Sequence, residues 1–157
     1  MPGGTRTFLT FALGGEEYGV PVAQVKEIVG MMPFTAVPCT TGGLRGAVHF
    51  RGHIIPLVDL RLRLFRDEGP PSERSCIIIL TGTFAEGSAV GVVVDAVSEV
   101  VTMACEEVAT PPSGDMPLAR SLLLGVGNVR GRSVPLLDME KVLGAEERKI
   151  GREAKGV

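Results

Sequence analysis

The chain has 157 residues, enough for one compact domain or two very small ones sharing an interface. Apolar residues make up 45% of it and charged residues 22%, an ordinary balance for a folded chain and too apolar for disorder. A formal net charge of -2, the absence of Trp and a complement of six Phe and one Tyr leave neither a basic field for phosphates nor platforms for stacked bases, so nucleic acid is excluded as a partner.

MPGGTRTFLTFALGGEEYG carries no signal-peptide pattern, and the longest apolar runs, such as AVGVVV, are too short to span a bilayer. A cytoplasmic protein without direct membrane insertion is expected. Cys39, Cys76 and Cys105 are odd in number and widely spaced, which fits reduced structural thiols better than a disulfide framework or a metal knuckle.

Along the chain, Gly and Pro separate short runs of Val, Ile, Leu and Phe, the pattern of a mainly β protein. RTFLTFAL places Leu9, Phe11 and Leu13 on one strand face, and Gly14-Gly15 marks a hairpin turn before EEYGV. PVAQVKEIV has Val22, Val25, Ile28 and Val29 at helical spacing behind a Pro, which predicts a short helix or turn, with a strand able to take over by Glu27. AVHF and HIIPLV are strands joined at Arg51-Gly52, and Asp59 caps a helical turn in DLRLRLF. After a polar connection from Arg66 to Ser75, SCIIIL and SAVGVVVDAV form the next hairpin. Loops and one helical turn are expected in TMACEEVATPPSGDMPLARS, then strands SLLLGVGNV and RSVPLLD meeting at Arg130-Gly131, then a C-terminal helix capped by Asp138.

Two passages repeat. A shift of 79 positions carries Gly46, Arg51, Gly52, Pro56, Leu57 and Asp59 onto Gly125, Arg130, Gly131, Pro135, Leu136 and Asp138. A shift of 72 aligns GVPVAQVKEIV from Gly19 with GVVVDAVSEVV from Gly91, matching Val25 to Val97, Glu27 to Glu99 and Val29 to Val101. Each unit holds about five short strands, enough to close into a small barrel. Two such barrels about a pseudo-twofold axis leave a groove between them for a partner.

Catalytic constellations are missing: there is no G-x-S-x-G elbow and no P-loop, and GVGNVRG has the wrong glycine spacing and leads into a strand. His49 and His53 flank the first Arg-Gly turn, where they are able to sit across from each other, with Cys39 the nearest soft ligand; a metal or small-ligand barrel is the remote rival reading. Acidic pairs Glu16-Glu17, Asp67-Glu68 and Glu106-Glu107 read as solvated turns. In the repeated motif, turn geometry accounts for the glycines but not for Arg51 or Arg130, because a tight hairpin prefers Asn, Asp or Gly at that place. A charged, multiply donating side chain at a hairpin tip suits recognition of a partner.

LRGAVHFRGHIIPLVDLRLRL resembles the signature of CheW-like domains, with GGEEYGVPVAQVKEIVG and VGVVVDAVSEVV in the places that family expects. The likeness runs from about Thr7 to Leu143 and implies two SH3-like five-stranded β-barrel subdomains with short helices and a C-terminal helix. The expected division is one domain over 5–146, with a first barrel over about 15–74 and a second over about 88–143. The N-terminal strand and residues 75–87 are open to exchange between them, and 147–157 form a helical tail.

The resemblance implies a non-catalytic adaptor with no cofactor, coupling the cytoplasmic tip of a methyl-accepting chemoreceptor to the regulatory domain of the histidine autokinase CheA. It would be recruited to receptor arrays at the inner membrane through these partners; a paralogue serving a non-flagellar pathway is the alternative. Carried over residue by residue, the receptor-facing positions are Val25, Glu27, Arg51 and Val97, and the kinase-facing positions Phe34 and Cys76. Glu27 is expected to hold Arg51 toward the groove, and Arg130 to be its structural echo. His49-Phe50, where the family usually has Asn followed by Leu or Val, departs from the pattern, as does His53.

Overall fold

The structure, a computed structural model, describes residues 4–36, 43–65, 72–82, 89–110 and 118–143. Its strands are β1 (Thr5–Leu13), β2 (Glu16–Pro21), β3 (Val25–Gly30), β4 (Thr35–Ala36), β5 (Leu44–Phe50), β6 (His53–Asp59), β7 (Cys76–Leu80), β8 (Val90–Val94), β9 (Ala96–Ala104), β10 (Leu123–Val129) and β11 (Arg132–Leu137). Two short helices, α1 (Leu60–Phe65) and α2 (Met139–Val142), follow β6 and β11. Asp138 caps α2 by accepting from the Glu140 N–H, and Asp59 accepts from the Leu62 N–H at the start of α1.

Two SH3-like sheets share the strands. One runs β3-β7-β8-β6-β5-β4 and the other β9-β1-β2-β11-β10. In the first, the edge strands β3 and β4 are joined by the four residues Met31 to Phe34, so the sheet curls round on itself. In the second, the chain leaving β9 makes a 3-10 turn at Cys105–Glu107 and returns through paired hydrogen bonds between Ala109 and Val126 of β10. The two orders are equivalent strand for strand under the internal repeat, and so are their parallel pairs: Leu57 opposite Gly91 between β6 and β8, and Leu136 opposite Gly19 between β11 and β2.

Strand membership departs from the expected boundaries. β2, expected with the first barrel, belongs to the second sheet together with β1, while β8, expected with the second, belongs to the first together with β7. Hairpins β1–β2 and β7–β8 are both rich in buried apolar residues. Only the short links Val22–Gln24 and Asp95 pass the chain from sheet to sheet. The helix predicted over Val22 to Val29 is a single 3-10 turn, Val22–Gln24, followed by β3. There Val25, Glu27 and Val29 alternate with the more exposed Lys26, Ile28 and Gly30, a period of two that overrides the helical spacing. The connection at Arg66 to Pro71 and the C-terminal tail from Gly144 lie outside the described residues.

Apolar packing forms three bodies. Val48, Ile55, Leu57, Ile77, Ile79 and Ala89 fill the first barrel, and Phe8, Met103, Val134 and Leu136 fill the second. Between them lies a larger shared cluster to which Leu9, Phe11 and Leu13 of β1 contribute, the face read from the sequence, along with Val92 and Val94 of β8 and Met139 of α2. Asp95, on the second link, ties the halves further: it accepts from the Gly14 N–H at 2.7 Å and from Arg61 of α1 at 3.2 Å.

Candidate functional site

The β5–β6 hairpin closes on two residues with positive φ, Arg51 at 49° and Gly52 at 81°. Both central residues in that region define a type I′ turn, whose twist suits a hairpin but which costs an L residue about 1 kcal/mol at the first position. The guanidinium lies 5.2 Å from the Phe50 ring centroid and reaches β3, where Nε donates to Glu27 Oε2 at 3.0 Å and Nη2 to Oε1 at 2.7 Å. This two-pronged bond holds the Glu27 carboxyl below the ordinary glutamate range, with the charges of Arg51 and Lys26 adding to it, and raises Arg51 in turn. The expected Glu27–Arg51 pair is present.

Val25 and Val97, at the beginnings of the equivalent strands β3 and β9, are both half-buried against the shared cluster. Glu27 and Glu99 stand two residues further along each strand. Cys76 packs against the same cluster, and burial pushes its thiol up despite a hydrogen bond with the Val97 backbone. Phe34 lies elsewhere. It is exposed and lines a shallow groove with Met32, Pro33, Thr35, Ala47 and His49. Cys76 is therefore a neighbour of Val97, and it does not line the groove that holds Phe34.

The second barrel repeats the first corner. Arg130 has φ 50° and Gly131 φ 81°, and Arg130 Nη2 donates to Glu99 of β9. Asn128 closes this turn by accepting from the Gly131 N–H at 2.9 Å. Sequence reading missed the pair because the two residues are matched by different shifts, Glu27 to Glu99 by one and Arg51 to Arg130 by the other. Applying both shifts to the Glu27–Arg51 pair predicts the Glu99–Arg130 pair directly. The surroundings differ: Arg132 meets Glu17 at 3.6 Å, Ser98 donates to Glu17 at 2.6 Å, and the buried Thr10 hydroxyl bonds the Glu99 backbone. Glu17 is thus part of an ion-paired cluster, not the freely solvated turn residue expected.

The remote metal reading loses its geometry. Register sets His49 opposite Ile54 and His53 opposite Phe50, so the two imidazoles leave opposite faces of the hairpin and do not sit across from each other. Cys39 lies outside the described residues. Among the described residues no three His, Cys, Asp or Glu side chains gather to hold a metal ion.

The family profile of the CheW-like domain matches residues 7–116 and 103–157. A chemotaxis protein CheW of Klebsiella aerogenes is 36% identical over 140 residues, covering 89% of this chain and 82% of that protein. One from Rhizobium meliloti is 30% identical over 148 residues, covering 94% of each. In three dimensions the chain resembles the crystal structure of the scaffolding protein TtCheW from Thermoanaerobacter tengcongensis, with a TM-score of 0.79 and 26% identity over 92% of this chain and 89% of that one.

Proposed function

The chain belongs to the CheW-like domain family, and on that premise we propose that it is a non-catalytic scaffold coupling the cytoplasmic tip of a chemoreceptor to the regulatory domain of the kinase CheA. Relatives named as chemotaxis proteins CheW and as the scaffolding protein TtCheW support a chemotaxis coupling role. It works in the cytoplasm and joins receptor arrays through its partners; among the described residues no helix is long and apolar enough to cross a membrane.

The observation that carries this reading is the Arg51 side chain, braced by Glu27 and still 65% exposed. A planar fork already oriented by one carboxylate gives up little freedom when its outer N–H groups meet a second acceptor. Val25 and Val97 supply apolar ground where the two barrels meet, suited to the apolar stripe of a receptor helix, with Glu27 and Arg51 at its margin. Phe34, in its shallow groove, and Cys76 are the residues assigned to the kinase; the burial of Cys76 supports it as packing beneath a contact and not as the contact itself.

Co-purification with a receptor-tip fragment and with the kinase regulatory domain, separately and together, tests the reading. A ternary complex in which each partner is also retained alone is expected. Failure of the folded protein to retain either partner overturns it.

A further inference from the structure

Among the described residues only two besides glycine have a left-handed backbone, and they are Arg51 and Arg130. Each occupies the first central position of a type I′ turn, where Asn or Gly would sit with less strain. Strain of this kind at two equivalent places is a pointer to function and not to folding. The two arginines also share their bonding: each is held by a glutamate at the equivalent position of an equivalent strand, Glu27 on β3 and Glu99 on β9. Their exposures match, 65% and 71% for the arginine side chains against 33% and 34% for the glutamate side chains.

The proposed receptor-facing residues of the first barrel, Val25, Glu27 and Arg51, map under the internal repeat onto Val97, Glu99 and Arg130 of the second. Val97 is already in the proposed set. We propose that Glu99 and Arg130 complete a second receptor-docking corner, so that the chain grips the receptor tip through two equivalent arginines, one on each barrel. The inference rests on the adaptor reading and extends it.

The two corners select different side chains. Beside Arg51 stands the Phe50 ring, and by register His53 shares that face of the hairpin. Beside Arg130 stands Arg132, also paired with a less exposed glutamate, Glu17: the arginine side chain is 70% exposed and the glutamate side chain 22%. The second corner therefore presents two well-exposed arginine side chains over two less exposed glutamates. That charge order fits an acidic side chain of the receptor helix, bound by the outward N–H groups.

Replacing arginine by Asn at each tip tests the proposal without endangering the fold, because Asn-Gly is a favoured type I′ pair. The wild-type chain, Arg51→Asn and Arg130→Asn are each melted and then titrated with the receptor-tip fragment and with the kinase regulatory domain. Both variants are expected to melt no lower than wild type, to bind the receptor tip roughly tenfold more weakly and to keep their affinity for the kinase domain. Wild-type receptor affinity in Arg130→Asn, alongside a loss in Arg51→Asn, overturns the second corner and leaves the adaptor reading standing. No receptor binding by the wild-type chain overturns the adaptor reading itself.

Discussion

Glu27 meets Arg51 with both carboxylate oxygens, and the arginine reaches that position from a left-handed backbone at φ 49°. An exposed ion pair stabilises by only ~0–1 kcal/mol, no more than the left-handed residue costs. The pair therefore orients a side chain and adds little to the stability of the fold. Reversing the charge exposes the difference: Arg51→Glu is expected to weaken receptor binding by about 1–3 kcal/mol while the protein stays folded. Calorimetric titration with a receptor tip checks it, and unchanged affinity in a folded variant removes Arg51 from the interface.

Acid should loosen the same pair. Glu27 titrates below the ordinary glutamate value in the folded chain because it accepts from Arg51. With the folded pKa below the unfolded one, its contribution is fully present above the unfolded value and is lost as pH falls through the folded one. Nothing should change between pH 7 and about 5 from this group. Carbon-detected NMR titration of the Glu27 carboxyl reads it: the midpoint is expected below that of an unstructured peptide and should rise in Arg51→Asn. A Glu27 that titrates at the peptide value in the wild-type chain shows the pair to be absent in solution.

Gly91 and Gly19, each a member of a parallel pair, are required for the close approach of a neighbouring side chain. A Cβ on Gly91 would stand 2.9 Å from Ile77 Cγ2, and one on Gly19 would stand 2.8 Å from Leu136 Cδ2. The branched Ile77 is stiff at χ1 and packs inside the first barrel, whereas a leucine methyl yields more readily. Gly91→Ala should cost about 1–3 kcal/mol and Gly19→Ala less. Urea denaturation of the two variants orders them, and equal or inverted losses refute this account of the packing.

Asp95 joins three elements by accepting from the Gly14 N–H and from Arg61 while its own N–H donates to the Ala12 carbonyl. Asp95→Asn keeps the shape but loses the charge that strengthens two of these bonds, and about 1–2 kcal/mol of stability should go with it. Thermal melts at low and high salt check the origin, since the loss should shrink as salt screens the wild-type carboxylate.

Much of this architecture was legible from spacing. Strand pairs met where Arg-Gly punctuated them, Asp59 and Asp138 capped their helices, and Leu9, Phe11 and Leu13 shared a buried face. The allocation of hairpins to barrels was not legible, because β1–β2 and β7–β8 are both rich in apolar residues and neither local pattern says which sheet the hairpin joins. Partners such as Thr7 and Thr102 are paired only by the fold as a whole. The two halves of the proposed receptor-facing surface fared differently for a related reason. Glu27 and Arg51 came together through the family likeness, whereas Glu99 and Arg130 required the two repeat shifts to be read jointly.

The exchanged hairpin also fixes an order of events during synthesis. Every strand of the first barrel lies between Val25 and Val94, so that barrel is complete as soon as β8 is made. Hairpin β1–β2 leaves the ribosome earlier, yet its strand partners β9 and β11 come later. Until they arrive, the outer edge of β1 stands open beside Phe8, Leu9 and Phe11, an apolar edge of the kind that invites aggregation. A nascent chain stalled shortly after Val94 is therefore the species most in need of a chaperone.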